Sequence, residues 1–278
     1  LYAYVTVGRV PAETVAEAGF WLQKTIRYET DREQAEKPAY LQGGLIVGEH
    51  LGFGGVSEYA TAMMEQIRLG SSDDGYTTQG FAPFDVYTRV DTLYDSPDYT
   101  WTASELAALI NADTYSVLNH LGHSSTDYCM RFTNDDADAM LRNSKPAFLY
   151  TQGCIAGAFD RDCSAEHFTT STAHGLFGGV FNARFGWGRR DSTDGPSQRF
   201  ARRFWDVFFG DWIGRTGIAN QLAHERNAAR IDEECMRWCY YESNLFGDPA
   251  QSLEGFATEV RLDREAYRSD TNAVVEVT

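Results

Sequence analysis

Two short apolar runs, each followed at once by a reactive side chain, constrain the fold of this chain more than any other feature. The run at 115–118 leads to His123, and the run at 147–150 leads to Cys154. Each run is too short for a helix and rich enough in aliphatic and aromatic residues for a buried strand. A polar segment with room for a helix over 135–143 separates them. This strand, helix, strand pattern predicts two neighbouring parallel strands.

His123 and Cys154 should therefore meet at one edge of the sheet, because ligands of parallel sheets bind beyond the carboxyl ends of the strands. A cysteine beside a histidine is the arrangement of a thiol nucleophile and its base. The imidazolium would lower the pKa of the thiol, and the imidazole could then protonate a leaving amine. The alternative for Cys154 is a buried structural thiol, which is what most free cysteines are.

Composition and charge narrow the function further. The chain has 278 residues, 43% of them hydrophobic, and a net charge of −16. Such a charge repels phosphate and argues against a nucleic-acid partner. No run approaches the roughly 18 apolar residues of a membrane helix. The chain opens on Leu1 and not on methionine. We therefore expect a mature or excised piece of a longer precursor, in which a missing signal peptide says nothing about secretion.

The rest of the chain alternates strand-like and helix-like segments, which predicts an α/β fold with a mostly parallel sheet flanked by helices. Thr14 and Thr102 are expected to cap two of the helices, each with a glutamate three residues later. Further strands are expected at 2–7, 45–47, 86–93 and 176–183, a turn at 244–249, and helices at 16–30, 57–69, 102–110, 164–172, 197–209, 217–229 and 230–241.

The sequence pattern changes at about residue 257. Two alternating strands, 260–263 and 273–277, follow with a polar loop between them. Two strands are too few for a domain. We therefore divide the chain into an α/β unit at 1–256 and the start of a truncated all-β module at 257–278.

Five motifs in the right order make the chain similar to the gingipain family of cysteine peptidases, whose fold is that of the caspases. They correspond to the family's opening strand and helix, its histidine loop, its nucleophile loop, the helix after the nucleophile and its closing turn, at 7–29, 119–125, 153–157, 163–166 and 244–249. The resemblance runs from about residue 2 to residue 253. It implies a caspase-like sandwich, an upstream subdomain and a propeptide outside this segment, and an immunoglobulin-like domain beginning at 257–278.

By this resemblance Cys154 is the nucleophile, His123 its acid–base partner, and Glu49 the third member that orients the histidine. Alternatively, Glu49 is a solvated loop acid or a calcium ligand. In the family, backbone N–H groups at the cysteine and after the histidine stabilise the tetrahedral intermediate, which implies Cys154, with Gly153 before it, and Ser124. Two positions depart from the family's pattern, since Ser124 replaces a glycine and Gly153 replaces an alanine. Serine keeps its N–H but adds a Cβ that glycine lacks.

The resemblance also implies cleavage after arginine or lysine, with an acid at the floor of the substrate pocket and a tryptophan on its wall. Glu58 and Trp187 fall where these two residues are expected. A basic side chain could pair with the acid and lie against the indole. Alternatively, Glu58 complements a helix dipole and Trp187 packs in the core. A preference for acidic or small residues would follow if Glu58 lay far from Cys154.

Other histidines compete for the role of His123. His120 lies three residues earlier, and only one of the two can face the edge of the sheet in extended geometry. His123 is preferred because it follows a small glycine at the strand exit. His174 follows the cysteine, against the family order, and is expected at a helix end capped by glycine. His50 is expected in a loop.

The sequence therefore predicts an extracellular or cell-surface cysteine endopeptidase that forms an acyl-thioester. The chemistry requires no cofactor. The acidic stretches at 71–74 and 135–136 could bind structural calcium, but they lack any regular ligand spacing, and no metal ligand is assigned. The other four cysteines are expected to be buried free thiols.

The expected partners are protein or peptide substrates, the propeptide of a zymogen and a downstream immunoglobulin-like domain. The rival interpretation is a catalytically silent caspase-like module that serves adhesion or scaffolding in a larger surface protein.

Overall fold

A six-stranded sheet organises the molecule. The structure, a computed structural model, describes residues 5–256 together with the strand backbones at 260–262 and 275–277. The strands are β1 (Gly43–Gly48), β2 (Arg89–Tyr94), β3 (Val117–Leu121), β4 (Ser124–Ser125), β5 (Tyr128–Cys129), β6 (Phe132–Thr133), β7 (Ala147–Thr151), β8 (Leu176–Asn182), β9 (Ser243–Phe246), β10 (Val260–Leu262) and β11 (Val275–Val277). The helices are α1 (Val15–Glu33), α2 (Thr61–Leu69), α3 (Ala103–Asn111), α4 (Asn134–Met140), α5 (Ser164–Thr169), α6 (Pro196–Phe209), α7 (Thr216–Asn227) and α8 (Met236–Glu242).

The sheet has the strand order β2-β1-β3-β7-β8-β9. Its first five strands are parallel, and β9 runs antiparallel to β8 at one edge. The predicted α/β fold with a mostly parallel sheet is thus confirmed. A small antiparallel sheet of β4, β5 and β6 follows β3 directly, and it turns the chain away after the predicted histidine loop.

Helices cover both faces of the sheet. Residues alternate between the faces along each strand, so Ile46 of β1 packs in one hydrophobic cluster and Leu45 in the other. The cluster on the Ile46 face takes its helical residues from α1, α2, α6 and α7. The cluster on the Leu45 face takes them from α3, α4 and α5. Because both faces are covered, the central strands are buried throughout and read as continuous apolar runs.

Local signals account for the starts of two helices. The side chain of Thr14 accepts a hydrogen bond from the backbone of Glu17, whose carboxylate binds back to the Thr14 N–H. Thr102 and Glu105 form the same reciprocal pair at the start of α3. Both predicted caps are confirmed.

Four predicted elements differ from the structure. Residues 5–7 form no strand, and the rest of the expected strand at 2–7 lies outside the described residues. The expected turn at 244–249 is partly the edge strand β9, because Ser243–Phe246 pairs with β8. The helices predicted from 57 and 230 begin instead at Thr61 and Met236, each after a 3₁₀ turn.

Beyond residue 256 the structure describes one antiparallel pair, β10 with β11. The expected pair of strands is therefore present. None of the described helices is both long and apolar enough to span a membrane.

Candidate active site

The carboxyl ends of β1, β3 and β7 open into one cleft of about 610 Å³. Its walls come from the loop that follows β1, from His123 after β3, from Gln152 and Cys154 after β7, and from the segment 185–190. The predicted histidine and cysteine are thus brought to the same cleft, as the strand, helix, strand pattern requires.

A chain of hydrogen bonds runs across the three strand ends beneath this cleft. Glu49 Oε1 lies 3.1 Å from Nε2 of His120, and Nδ1 of the same ring lies 2.8 Å from the Thr151 hydroxyl. Thr151 Oγ1 accepts from the N–H of Gly153 at 3.0 Å. At the other end, Glu49 Oε2 accepts from the backbone N–H of His123 at 3.2 Å. The chain therefore joins the histidine loop to the nucleophile loop.

One assignment of protons satisfies every bond in this network. The Glu49 carboxylate can only accept, so Nε2 of His120 carries a proton and donates to it. The Thr151 hydroxyl then donates to Nδ1 of His120 while it accepts from Gly153. His120 and Glu49 are 0% and 3% exposed, so full pairing is what their burial demands.

Gly122 makes room for the network. A Cβ at this position would lie 2.5 Å from Oε1 of Glu49 and 2.5 Å from Nε2 of His120. Real Cβ atoms do not tolerate such distances, so any larger residue would displace the carboxylate or the ring. The glycine before the candidate base is therefore a packing requirement of the carboxylate beneath it.

The structure corrects the predicted role of Glu49. Its carboxylate touches the backbone of His123 and not the imidazole. The ring instead places Nε2 3.0 Å from the carbonyl oxygen of Leu51. A carbonyl can only accept, so Nε2 carries a proton, and Nδ1 is the ring nitrogen left to act as base. The Leu51 carbonyl thus orients the imidazole of His123, which is the role that the resemblance assigned to Glu49.

Cys154 is half-buried, and its Sγ lies 3.9 Å from the carbonyl oxygen of Gly186. Burial raises the pKa of this thiol, and the Gly186 bond opposes that shift only in part. The lowered pKa expected from an adjacent imidazolium is therefore not found. The ring of His123 is bonded to Leu51 instead, and the thiol is protonated at neutral pH.

The two departures from the family pattern fit one another. A Cβ built at Gly153 would clash with the hydroxyl of Ser124 and lie 3.0 Å from its Cβ. The side chain at 124 thus occupies the space that an alanine at 153 would need. Of the predicted oxyanion donors, Gly153 has its N–H bonded to Thr151, so it shapes the loop and is not free to donate.

Glu58 does not belong to the described lining of the cleft. Its carboxylate pairs with Nε2 of His50 at 2.8 Å and accepts from the N–H of Gly54 at 2.8 Å. These two bonds, that of His50 first, lower the pKa of Glu58. The residue also precedes α2 by three positions. Glu58 is therefore neither an acid in the cleft lining nor a residue of the first turn of α2, the two roles considered from the sequence.

Trp187 does line the cleft, with 43% of its surface exposed. Its backbone N–H donates to the Ser197 hydroxyl at 2.9 Å. The alternative of core packing is therefore wrong, and the indole is available to a bound molecule.

The remaining candidates are occupied elsewhere. His174 bonds through Nδ1 to the carbonyl of Asn143, before the amino ends of β7 and β8 and away from the cleft. Asp136 caps α4 together with Thr133. Asp74 pairs with Arg202. Among the described residues, no group of three or more histidine, cysteine or acidic side chains is arranged to hold a metal ion. All five cysteines are free, with Cys154 and Cys235 half-exposed and the others buried.

Sequence reasoning missed three groups in the cleft. They are the Leu51 carbonyl, Gln152 and Arg190. Gln152 had a signal, since it lies two residues before the candidate nucleophile. The other two depend on loops whose paths no local pattern predicts.

Comparison with known proteins agrees with this architecture. The model of peptidase family C25 matches residues 1–254. No curated protein matches the chain significantly.

Solved structures resemble the chain at low sequence identity. A crystal structure of the Arg-specific cysteine proteinase gingipain R has a TM-score of 0.74 and 16% identity, and the match covers 99% of this chain and 62% of that one. A complex of pro- and mature domains of RgpB from Porphyromonas gingivalis gives a TM-score of 0.67 and 14% identity, with 99% and 64% covered. A third structure, described as a protease, gives 0.58 and 15%, with 94% and 59% covered. These likenesses show the fold, and the chain spans less than two thirds of each matched chain.

Proposed function

The chain belongs to peptidase family C25, and on that premise we propose that it is a cysteine-type endopeptidase with Cys154 as nucleophile and His123 as acid–base partner. The observation that carries the proposal is the shared cleft, where both side chains follow adjacent parallel strands. Nothing in the chemistry asks for a metal ion or cofactor.

Acylation begins with a proton transfer. The thiol of Cys154 is protonated at neutral pH because burial raises its pKa. Nδ1 of His123 takes this proton as the sulfur attacks the carbonyl carbon of the scissile peptide bond. The sulfur leaves its contact with the Gly186 carbonyl in this step. The product is a tetrahedral intermediate, and backbone N–H donors at Cys154 and Ser124 are proposed to stabilise its oxyanion.

The intermediate then collapses. The imidazolium of His123 returns its proton to the leaving amine, the C–N bond breaks and an acyl-thioester remains on Cys154. A water molecule, deprotonated by the same imidazole, hydrolyses the thioester and regenerates the thiol. In this scheme Glu49 acts on the backbone of His123 and through His120, and not on the reacting imidazole itself.

The setting of the enzyme is also proposed. The solved complex of RgpB pro- and mature domains supports a propeptide as a partner. We infer an extracellular or cell-surface location and a unit boundary near 256, with 257–278 as the start of an immunoglobulin-like module. Glu58 offers no acid to the cleft, so the preference for arginine or lysine that the resemblance implies lacks support from it.

Hydrolysis of a quenched protein substrate by the full chain tests the proposal. Cys154→Ala and His123→Ala should each lower turnover by about 10³-fold or more, with circular dichroism unchanged. Cys235→Ala is the matched control, since it removes the other half-exposed thiol and should leave turnover intact. Turnover that survives Cys154→Ala would refute the mechanism. A folded wild-type chain that cleaves nothing would favour the silent module.

A further inference from the structure

The charge of the cleft is opposite to the charge of the whole chain. Its described lining includes two guanidinium groups, Arg189 and Arg190, and no carboxylate. Arg190 is exposed, and within the described part of the chain it forms neither an ion pair nor a side-chain hydrogen bond. The charge of Arg189 acts on Glu233, outside the cleft. Arg190 is therefore a cation without an ion-pair partner among the described residues, and it lines the same cleft as the candidate nucleophile.

The glycine-rich loop after β1 makes room for Arg190. A Cβ at Gly54 would lie 3.2 Å from Nε of Arg190 and 3.3 Å from one of its terminal nitrogens. A Cβ at Gly55 would lie 2.8 Å from the Arg190 carbonyl oxygen. Both glycines have positive φ angles, which other residues rarely adopt. The glycine-rich loop 52–55 thus packs against Arg190 at the wall of the cleft.

Gln152 supplies a second, independent observation. Its side chain is 4% exposed and lines the cleft. Neither its amide nitrogen nor its amide oxygen has a hydrogen-bond partner among the described residues. Burying an unpaired amide is costly. A bound group that accepts a hydrogen bond from the amide nitrogen would remove part of that cost.

Two acids close to the cleft are poorly placed to receive a basic side chain. Glu58 is held by His50 and by the N–H of Gly54. Glu242 is buried outside the cleft lining, and burial raises its pKa to about 8, so it is mostly uncharged at neutral pH. A lysine or arginine would therefore enter beside two guanidinium groups, in a cleft whose described lining holds no carboxylate.

We propose that the cleft takes an acidic side chain, aspartate or glutamate, on the amino side of the scissile bond, with Arg190 and Gln152 as its partners. This inference rests on the peptidase proposed above and names its substrate class. The carboxylate accepts from the Arg190 guanidinium and from the amide nitrogen of Gln152. The exposed rings of Phe53, Phe185 and Trp187 at the cleft pack against the substrate chain and exclude water.

Four fluorogenic peptides that differ only at the residue before the scissile bond test this specificity. That residue is aspartate, glutamate, glutamine or arginine, and kcat/KM is measured with the full chain. The wild type should prefer the two acidic peptides to the glutamine peptide by about tenfold or more. Arg190→Gln should lower kcat/KM for the two acidic peptides far more than for the glutamine peptide and so remove that preference, and Arg190→Glu should favour the arginine peptide.

Arg142→Gln is the matched control. This arginine is exposed between α4 and the amino end of β7, away from the cleft, and donates to the carbonyls of Asp138 and Leu141. Its loss should not change the order of the four peptides.

Two results overturn the specificity proposal alone. One is a wild-type preference for the arginine peptide, and the other is an equal loss on all four peptides in Arg190→Gln. Failure to cleave any of the four, with Cys154 also inert to a peptidyl electrophile, overturns the peptidase proposal itself. The failures of the two proposals are thus distinguishable.

Discussion

Ser124 and Gly153 illustrate how single positions near the nucleophile depend on each other. Each departs from the family pattern, yet the hydroxyl of Ser124 fills the volume that a side chain at 153 would take. The space between the histidine loop and the nucleophile loop thus holds one small side chain, and here that side chain belongs to Ser124 and not to residue 153.

This exchange predicts non-additive stability. Gly153→Ala should lower the free energy of unfolding by about 1–3 kcal/mol, because the new methyl group clashes with Ser124. The double variant Ser124→Gly with Gly153→Ala should recover most of that loss in a double-mutant cycle measured by urea unfolding. Gly19→Ala is the matched control, since a Cβ there meets nothing within 4 Å; it should stabilise α1 by about 0.5–1 kcal/mol. Additive single effects would contradict the account.

Glu242 should make stability depend on pH. Burial raises its pKa from 4.5 to about 8, and the neighbouring side chains of Cys239 and Trp238 oppose that shift only in part. Between these two values the folded state binds a proton that the unfolded state releases. The contribution of protonated Glu242 to the free energy of unfolding is therefore full below pH 4.5 and is lost as pH rises to about 8.

The variant Glu242→Gln tests this prediction. Its free energy of unfolding should fall less steeply between pH 5 and 8 than that of the wild type, because glutamine stays neutral. The exposed Glu36→Gln removes the same formal charge from the surface and should leave the slope unchanged. Parallel pH curves for Glu242→Gln and wild type would contradict the assignment.

At the scale of elements, the ends of β1, β3 and β7 form one rigid support. Glu49, His120 and Thr151 belong to three adjacent strands or their ends, and their hydrogen bonds fix the backbone of both reacting loops. Val47 pairs with His120 and His120 with Thr151 in the sheet register. The network is therefore a consequence of strand pairing, and His120 is a positioning residue.

Thr151→Val should uncouple the two loops. The substitution keeps the shape but leaves the Gly153 N–H and the His120 ring without their shared partner, which costs about 1–3 kcal/mol of stability. Because the nucleophile loop is then less well placed, kcat should fall with little change in KM, and the Gly153 amide hydrogen should exchange faster.

The control for this variant is Thr169→Val, since the Thr169 hydroxyl bonds to the Ala165 carbonyl within its own helix. It should leave kcat and Gly153 exchange unchanged. An unchanged kcat in Thr151→Val would show that the network stabilises the fold alone.

The elements that build the site were largely predictable, and their side-chain pairings were not. β1, β3 and β7 are covered on both faces, so their apolar runs stand out in the sequence. His123 and Cys154 then follow from strand direction alone. The partner of Glu49 does not, because lateral register decides that His120 and not the ring of His123 faces its carboxylate. Gln152 and Arg190 both line the cleft only because of the paths of their loops. β9 was hidden because its polar residues resemble a turn.

At the scale of the whole molecule, the α/β unit closes near Phe256. The ring of this residue packs against the rings of Tyr87, Phe208, Phe209 and Trp212. It is 6% exposed. The proposed boundary between the peptidase unit and the following module thus falls directly after a core residue.

Truncation tests this boundary. A chain that ends at Phe256 should unfold cooperatively at the same midpoint as the full chain, because it keeps every described residue of the hydrophobic clusters. Phe256→Ala in the same shortened chain should lower stability by about 3–5 kcal/mol. If removal of 257–278 destabilised the fold as much as Phe256→Ala does, the boundary would be misplaced.

The central claim, that Cys154 is a nucleophile activated by His123, is tested most directly by locating the site of covalent labelling. The folded chain is treated with a peptidyl electrophile, and mass spectrometry identifies the modified cysteine among the five. We expect modification of Cys154 that is lost in His123→Ala, while Cys235, equally half-exposed, stays free. Preferential labelling of Cys235, or labelling of Cys154 that does not depend on His123, would contradict it.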